Sequence, residues 1–274
     1  MESTDQLNFA TLIPEVVSKF ANHKALGFVD EEMITYAGMG KKISAVKAFL
    51  EALEIKQGDK VVIYSQNMPN WGIVYFALQC LGIVVVPVLP DFNPFELENV
   101  FKHSESKAIF ISRSLEYKLA ELNNNIPEII VRIDNFEVVR SNIKGIVFDE
   151  NAQSETLYFS GPGELAILLY TSGTTGDSKG VMLSQKNVIY NAFQSGEVQN
   201  VPEHSKFLSV LPLSHTYENT IGLILPIMKG ANVTYLRKPP TASVLIPAMQ
   251  SVKPDLMLTV PMIIEKVYKN SILP

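Results

Sequence analysis

The chain has 274 residues, 47% of them hydrophobic and 19% charged, and a formal net charge of −5 at pH 7. A chain of this length can bury one large core or two smaller ones, and its composition is ordinary for a globular protein. The negative charge, without a basic run longer than Lys41-Lys42, argues against a nucleic-acid partner. The single cysteine, Cys80, excludes a disulfide within the chain and favours a reducing, cytoplasmic location. The 4 histidines lack the spacing of a zinc site.

Predicted helices and strands alternate along the first 133 residues. Apolar residues spaced three or four apart indicate helices, and short β-branched runs indicate buried strands. The predicted helices are Phe9–Asn22, Gly38–Leu53, Pro69–Leu81, Pro94–His103 and Leu115–Leu122, and the predicted strands are Ala25–Val29, Met33–Tyr36, Lys60–Tyr64, Ile83–Val88, Ala108–Ile111 and Ile129–Ile133. Such alternation is typical of a layered α/β domain with a largely parallel sheet.

One uncharged segment raises the question of a membrane span. Trp71 to Pro90 carries no charged residue and is long enough to cross a bilayer. Gly82 and Pro87 interrupt it, however, and it divides into the helix and the strand given above. The N-terminus also lacks the cationic and apolar pattern of a signal peptide. We therefore expect no transmembrane segment.

The stretch 134–163 is more polar and less regular than its surroundings. We predict that it connects a first α/β sub-domain, residues 1–133, to a second, residues 164–274. The later elements are predicted as strands Leu165–Tyr170, Val181–Leu183, Phe207–Leu211, Asn232–Tyr235 and Leu256–Val260, with helices from Ser184, over Tyr217–Met228 and Ala242–Val252, and after Pro261. Ser184 is well placed as an N-cap.

The most informative stretch runs from Tyr170 to Val181 and follows a buried apolar strand. Its glycines can adopt backbone angles closed to other residues, so consecutive N–H groups can face one concavity. The remaining donors are the hydroxyls of Thr171, Ser172, Thr174 and Thr175 and the amine of Lys179, with Gly173, Gly176 and Gly180 between them. These residues predict a loop that holds a polyphosphate. The alternative interpretation is an ordinary Gly/Ser/Thr turn between two strands.

This loop differs from the P-loop of nucleoside triphosphatases. Gly173 and Gly176 are too close together, and Gly180 follows the lysine. The stretch closely resembles the signature of the adenylate-forming superfamily, which includes acyl-CoA synthetases, luciferases and nonribosomal peptide adenylation domains. It departs at Ser178, where that superfamily most often has proline. Because a serine there removes no donor, we expect phosphate binding to survive.

Two further stretches strengthen the resemblance. Leu211–Asn219 resembles the segment in which a histidine lies near the acyl carboxylate, although His215 taken alone is more often structural. Lys253–Tyr268 is similar to long-chain fatty acyl-CoA synthetases, in which an arginine often stands at the position of Met262. The resemblance therefore points to the N-terminal portion of a long-chain fatty acid–CoA ligase.

The resemblance implies a fold and a reaction. The fold has two mostly parallel sheets flanked by helices, with the phosphate loop joining two strands. The reaction uses ATP, Mg²⁺ and CoA: a fatty acid becomes an acyl-adenylate and then an acyl-CoA. Thr171, Ser172, Gly173, Thr174, Thr175, Gly176 and Lys179 would hold the phosphates, and the Thr171 hydroxyl would help to hold Mg²⁺. His215 would lie beside the acyl carboxylate as a catalytic and substrate-binding residue, with Tyr217 near the mouth of a fatty-acid tunnel.

Other functions are also open at this point. Family members are longer, and their Tyr-Gly-x-Thr-Glu-like motif, ribose-binding aspartate and late catalytic lysine do not occur in this chain, which we expect to be inactive alone. The alternatives are a ligase for aryl or short acids, a fatty acyl-AMP ligase serving a carrier protein, and a non-catalytic nucleotide- or acyl-binding module. Peripheral membrane proximity suits a fatty-acid substrate, although we find no helix with a basic face. A serine hydrolase is excluded because Ser172 and Ser214 lack the Gly-x-Ser-x-Gly elbow.

Overall fold

A computed structural model describes residues 7–122, 125–171 and 179–271. By spatial proximity the chain divides into two compact units. Unit 1 is made of Met1–Pro14, Gly40–Gln66 and Asn70–Tyr190, and unit 2 is made of Glu15–Met39, Asn67–Pro69 and Asn191–Pro274.

The strands and helices follow the predicted alternation. The strands are β1 Lys24–Phe28, β2 Ile34–Thr35, β3 Lys60–Tyr64, β4 Val84–Val88, β5 Ala108–Ile111, β6 Ile129–Arg132, β7 Glu137–Arg140, β8 Leu165–Thr171, β9 Lys179–Ser184, β10 Lys206–Ser209 and β11 Asn232–Tyr235. The helices are α1 Phe9–Lys19, α2 Tyr36–Ala52, α3 Pro69–Cys80, α4 Pro94–Ser104, α5 Gln185–Val198, α6 Leu225–Met228, α7 Ala242–Val252 and α8 Pro261–Ser271, with a 3₁₀-helix at Arg113–Glu121 and a π-helix at Glu218–Ile224.

Unit 1 is built on a seven-stranded sheet in the order β7-β6-β5-β3-β4-β8-β9. Neighbouring strands from β6 to β8 run parallel, and the two edge strands run antiparallel. The central strands β4 and β5 are buried at every position, as expected for strands covered on both faces. Val62, Val86 and Ile109 lie in the main core cluster of this unit.

Unit 2 is built on a four-stranded sheet in the order β10-β11-β1-β2. The pairs β10–β11 and β11–β1 are parallel, and the short strand β2 pairs antiparallel with β1. Leu208, Leu245 and Leu258 form the centre of a hydrophobic cluster that includes residues of β10 and α7. The predicted fold class is confirmed: both sheets are mostly parallel and are accompanied by helices.

The two units group the chain differently from the predicted division at 134–163. Strand β8 pairs with β4 through Val85 and Ile167, which places it and β9 in unit 1. Strand β1, from the start of the chain, pairs with β11 through Leu26 and Val233 in unit 2. Sheet pairing, rather than chain order, therefore sets the units, and residues 134–163 lie within unit 1.

Three local predictions differ from the structure. The predicted strand Leu256–Val260 forms only one isolated parallel bridge, between Phe207 and Leu256, because Val260 is 39% exposed and Pro261 begins a helix. The predicted helix Tyr217–Met228 begins as a π-helix, because Pro226 has no N–H to continue an α-helical ladder. The edge strand β7 was not predicted, because its mostly exposed residues show no buried alternation.

The uncharged segment Trp71–Pro90 forms a helix and a strand, as predicted. Residues 71 to 80 of α3 are all buried, and so is every residue of β4. In the part of the chain that the structure describes, no helix has the length and apolar character needed to cross a membrane.

The turn between α3 and β4 depends on Gly82. Its φ is +66°, and an added Cβ would lie 2.2 Å from the Tyr158 ring. The backbone of Tyr158 is held nearby, because its N–H donates to the Cys80 carbonyl at 2.8 Å. We expect Gly82→Ala to lower the free energy of unfolding by about 2–4 kcal/mol, since a left-handed conformation and a displaced ring both contribute. Urea denaturation measures the loss.

Gly58 is the matched control for this substitution. Its φ is +80°, but an added Cβ would meet nothing within 4 Å. Gly58→Ala should therefore lose only about 1–2 kcal/mol, from the left-handed backbone. Equal losses in the two variants would show that the Tyr158 ring does not constrain Gly82.

Candidate active site

The predicted phosphate loop lies between β8 and the edge strand β9 of unit 1. Strands β8 and β9 pair antiparallel, and Thr171 and Lys179 are partners at the loop end of this hairpin. Both residues are exposed. The other predicted phosphate-binding residues, Ser172, Gly173, Thr174, Thr175 and Gly176, lie outside the described residues. The hairpin thus brings the first hydroxyl and the lysine of the predicted loop to the same end of the sheet.

Near the loop end of the hairpin, Tyr170 contacts His103 of α4, a histidine that the sequence did not predict as part of the site. The Tyr170 hydroxyl lies 2.6 Å from Nδ1 of His103, and the two rings meet edge to face at 5.5 Å. Burial raises the pKa of Tyr170 to about 12, so its hydroxyl keeps the proton near neutral pH and can donate it to the imidazole. His103 thereby fixes the side chain that immediately precedes Thr171.

Gly180 allows close packing beside this pair. An added Cβ would lie 3.0 Å from Leu168 Cδ1 and 3.6 Å from His103 Cε1. The backbone of β9 thus approaches α4 and β8 more closely at Gly180 than a larger residue would permit.

The second predicted site residue, His215, lies on an exposed turn of unit 2. Its N–H donates to the Pro212 carbonyl at 2.9 Å, and its carbonyl accepts from the Asn219 N–H at 2.9 Å. The N–H of Tyr217 donates to His215 Nδ1 at 3.2 Å. Because Nδ1 accepts, the neutral ring carries its proton on Nε2. The predicted neighbour Tyr217 is 43% exposed.

Asn67 holds the backbone that leads into this turn. Its Nδ2 donates to Ser209 Oγ at 2.9 Å and to the Leu211 carbonyl at 2.6 Å. Its Oδ1 accepts from the Leu213 N–H at 2.8 Å. One amide side chain therefore fixes the end of β10 and the residues just before His215.

Glu218 is buried directly after the His215 turn, where the π-helix begins. It is 1% exposed, and its Oε1 accepts from Ser209 Oγ at 2.5 Å. Burial raises the pKa of this carboxyl to about 8, although hydrogen bonds from Ser209 and the Leu211 backbone lower it in part. Glu218 is therefore mostly a neutral acid at neutral pH.

Unit 2, which contains this carboxyl, also contains other buried polar atoms without hydrogen-bond partners. Within the described residues, the atoms that make no hydrogen bond include Ser214 Oγ, Glu218 Oε2, Asn219 Nδ2 and Tyr235 Oη. Burial and the nearby Glu218 both raise the pKa of Tyr235. Buried polar groups without partners are uncommon, and they mark this region as more than an apolar core.

The described residues contain no group of three or more His, Cys, Asp or Glu side chains arranged to hold a metal ion. The one predicted metal ligand, the hydroxyl of Thr171, is exposed at the hairpin end. This fits Mg²⁺ held mainly by phosphate oxygens and water, since Mg²⁺ needs few protein ligands when it arrives with a nucleotide.

The Asn67 contacts can be tested by substitution. We expect Asn67→Ala to lower the free energy of unfolding by about 1–3 kcal/mol, because it removes three hydrogen bonds and leaves their backbone partners unpaired. Urea denaturation measures the change, and Asn200→Ala, at an exposed position of the same unit, is the control. A loss no larger than that of the control would contradict the role given to Asn67.

The chain is similar in sequence to acid–CoA ligases from plants. A 4-coumarate–CoA ligase from Humulus lupulus is 28% identical over 233 residues, which are 82% of this chain and 42% of that protein. Long chain acyl-CoA synthetase 5 from Arabidopsis thaliana is 27% identical over 241 residues, which are 80% of this chain and 35% of that protein. The chain thus spans less than half the length of these curated relatives.

The structure matches a solved benzoate CoA ligase from Burkholderia xenovorans with a TM-score of 0.84. The match covers 97% of this chain and 53% of that chain at 17% identity, so it shows a shared fold. The family model of AMP-binding enzymes matches residues 13–273, a range that includes both the β8–β9 hairpin and the His215 turn. The chain belongs to this family of adenylate-forming, AMP-binding enzymes.

Proposed function

We propose that the protein containing this chain activates a long-chain fatty acid with ATP and transfers the acyl group to CoA. In the first step, a carboxylate oxygen attacks the α-phosphorus of ATP, an acyl-phosphate bond forms, and pyrophosphate leaves. In the second step, the CoA sulfur attacks the acyl carbonyl, a thioester forms, and AMP leaves. The observation that carries this proposal is the hairpin that pairs Thr171 with Lys179 in a chain of this family.

The hairpin supplies what the first step requires. Negative charge builds up on the α-phosphate and on the departing pyrophosphate, so fixed donors and a cation stabilise the transition state. Lys179 supplies the cation, and the loop from Thr171 to Gly176 supplies hydroxyl and backbone donors. The Thr171 hydroxyl would help to hold Mg²⁺ bound with ATP, and such an ion would supply Lewis-acid stabilisation of the phosphate charge.

The His215 turn serves the acyl carboxylate. Since Nδ1 accepts from the Tyr217 N–H, Nε2–H of the exposed residue His215 serves as the donor in this proposal. A donor at this position orients a carboxylate without taking its charge away, which preserves its nucleophilicity. Tyr217, half exposed beside it, lines the start of the acyl path in this proposal.

The chain length of the acid is tested by kcat/KM for saturated fatty acids of increasing length, using the complete protein with ATP and CoA. Each methylene buried in a tunnel adds about 0.8 kcal/mol, or about fourfold in kcat/KM, until the tunnel is filled. We expect a rise over several methylenes. A flat series would contradict a long-chain substrate.

A second candidate is a ligase for aryl acids. The Humulus lupulus 4-coumarate–CoA ligase and the Arabidopsis thaliana long chain acyl-CoA synthetase are almost equally similar to this chain, at 28% and 27% identity. Including 4-coumarate and benzoate in the same assay separates the two functions, because an aryl ligase would prefer them to every fatty acid.

The protein is proposed to act in the cytoplasm. Its single cysteine, Cys80, is buried, and burial raises the pKa of the thiol to about 12. Such a thiol stays protonated and unreactive, in keeping with a structural role in a reducing compartment.

A further inference from the structure

A buried carboxyl of unit 2 has no part in the reaction as written. Glu218 is 1% exposed, yet it comes directly after the exposed residues 215–217. Burying a carboxyl is costly unless it is neutral or paired, and no described salt bridge involves it. The burial of a carboxyl three residues from His215 therefore needs a structural or functional explanation.

Hydrogen bonds through Ser209 and Asn67 connect Glu218 to the backbone that leads into the His215 turn. Asn67 Nδ2 donates to Ser209 Oγ at 2.9 Å, and Ser209 donates its only proton to Glu218 Oε1 at 2.5 Å. Asn67 also fixes the backbone of Leu211 and Leu213 on either side of Pro212, the residue whose carbonyl receives the His215 N–H. Glu218 thus ends a chain of hydrogen bonds that begins at the backbone supporting His215.

The local backbone is shaped around this carboxyl. The π-helix ends where the Leu225 N–H reaches back to the Thr220 carbonyl, and π-helical turns are rare and frequent at functional sites. A Cβ on Gly222 would lie 2.7 Å from both Cδ and Oε1 of Glu218. The helix therefore carries glycine at the point where the carboxyl lies against its backbone.

We propose that Glu218 is a positioning residue whose buried carboxyl, through Ser209 and Asn67, holds the His215 turn in the geometry that receives the acyl carboxylate. This inference rests on the proposed function, because it concerns the same carboxylate pocket. It assigns Glu218 no contact with the substrate and no proton transfer in the reaction.

Ionisation of Glu218 would oppose substrate binding in two ways. It would place a negative charge in a buried position three residues from His215, where a second carboxylate is to bind. It would also leave a charged Oε2 without a partner among the described residues. Among the described residues, the groups recorded against this carboxyl include the Ser209 hydroxyl on β10, the Leu211 backbone, the Gly222 backbone and the Tyr235 phenol on β11, and none of these is a cation.

The test is the pH profile of acyl-adenylate formation by the complete protein with a long-chain fatty acid. In the unmodified protein, we expect kcat/KM for the acid to fall about tenfold per pH unit above the ionisation of Glu218, mainly through KM. Glu218→Gln, which mimics the neutral acid, should lack this alkaline limb while keeping kcat within about threefold. Glu218→Ala should lose at least tenfold in kcat/KM at pH values below the alkaline limb, and Gln at the same position should restore most of that loss.

Glu197→Gln, at an exposed position of the same unit, is the control and should keep the unmodified profile. An alkaline limb that persists in Glu218→Gln would overturn the proposal, even if Glu218→Ala fails to fold. Failure of the unmodified protein to form any acyl-adenylate would instead overturn the proposed function. In that case the ¹³C chemical shift of the Glu218 carboxyl, followed against pH, tests the proposed role of Glu218 without the reaction. Titration near the ordinary pKa of 4.5, rather than near 8, would overturn that role.

Discussion

Lys179→Ala is expected to lower kcat/KM for ATP by about 10–150-fold in the complete protein. Lys179 is exposed and lies at the loop end of the β8–β9 hairpin, across from Thr171. In the proposed reaction it donates a charge-assisted hydrogen bond to phosphate oxygens, and loss of such a bond costs about 1.5–3 kcal/mol. Steady-state kinetics with ATP varied at a saturating concentration of the acid measures the loss.

Two further variants make this prediction specific. Lys179→Arg keeps the charge and should retain more activity than the alanine variant. Lys144→Ala removes an exposed lysine elsewhere in unit 1 and should leave kcat/KM for ATP unchanged. Unchanged kinetics in Lys179→Ala would show that Lys179 does not bind the phosphates of ATP.

Glu218→Gln is expected to flatten the pH dependence of stability. The carboxyl has a pKa of about 8 in the folded protein and an ordinary value of 4.5, so folding takes up a proton between these limits. The free energy of unfolding of the unmodified protein therefore falls as pH rises through this window, by about 1.4 kcal/mol per pH unit for one proton. The stability that the bound proton provides is complete below the lower limit and lost above the upper one.

Urea denaturation between pH 5 and pH 8 measures this slope in both proteins. Other groups that titrate in the window are shared, so the difference between the two curves reports Glu218. Glu197→Gln should reproduce the slope of the unmodified protein, because Glu197 is exposed. Parallel curves for Glu218→Gln and the unmodified protein would show that Glu218 is already ionised in the folded state.

The sequence predicted the fold where local patterns are strong. Strands β3 and β4 are predictable because their residues are apolar on both faces. The predicted N-cap at Ser184 is confirmed, because the Asn187 N–H donates to Ser184 Oγ at 3.2 Å. The prediction that this segment lies between two strands was also confirmed, since the paired strands β8 and β9 flank it, while its phosphate binding stays a prediction. In each case, the residues that decide the structure are close together in the chain.

The supporting residues of the candidate site could not be predicted in this way. Asn67 is 142 residues from Ser209, and His103 is 67 residues from Tyr170, so neither forms a local pattern with its partner. The π-helix also escaped prediction, because the apolar spacing from Tyr217 to Met228 resembles that of an ordinary helix. Pro226, which cannot continue an α-helical ladder, is visible in the sequence, but its spacing from Tyr217 does not tell a π-helix from an α-helix that begins later.

The most direct test of the account is acid-dependent exchange of labelled pyrophosphate into ATP by the complete protein. Exchange requires only the first step, so it does not depend on CoA or on a carrier protein as acceptor. We predict no exchange without a carboxylic acid and the fastest exchange with long-chain fatty acids. Binding of a non-hydrolysable ATP analogue without exchange, for any fatty, aryl or short acid, would contradict the ligase and identify a nucleotide-binding module.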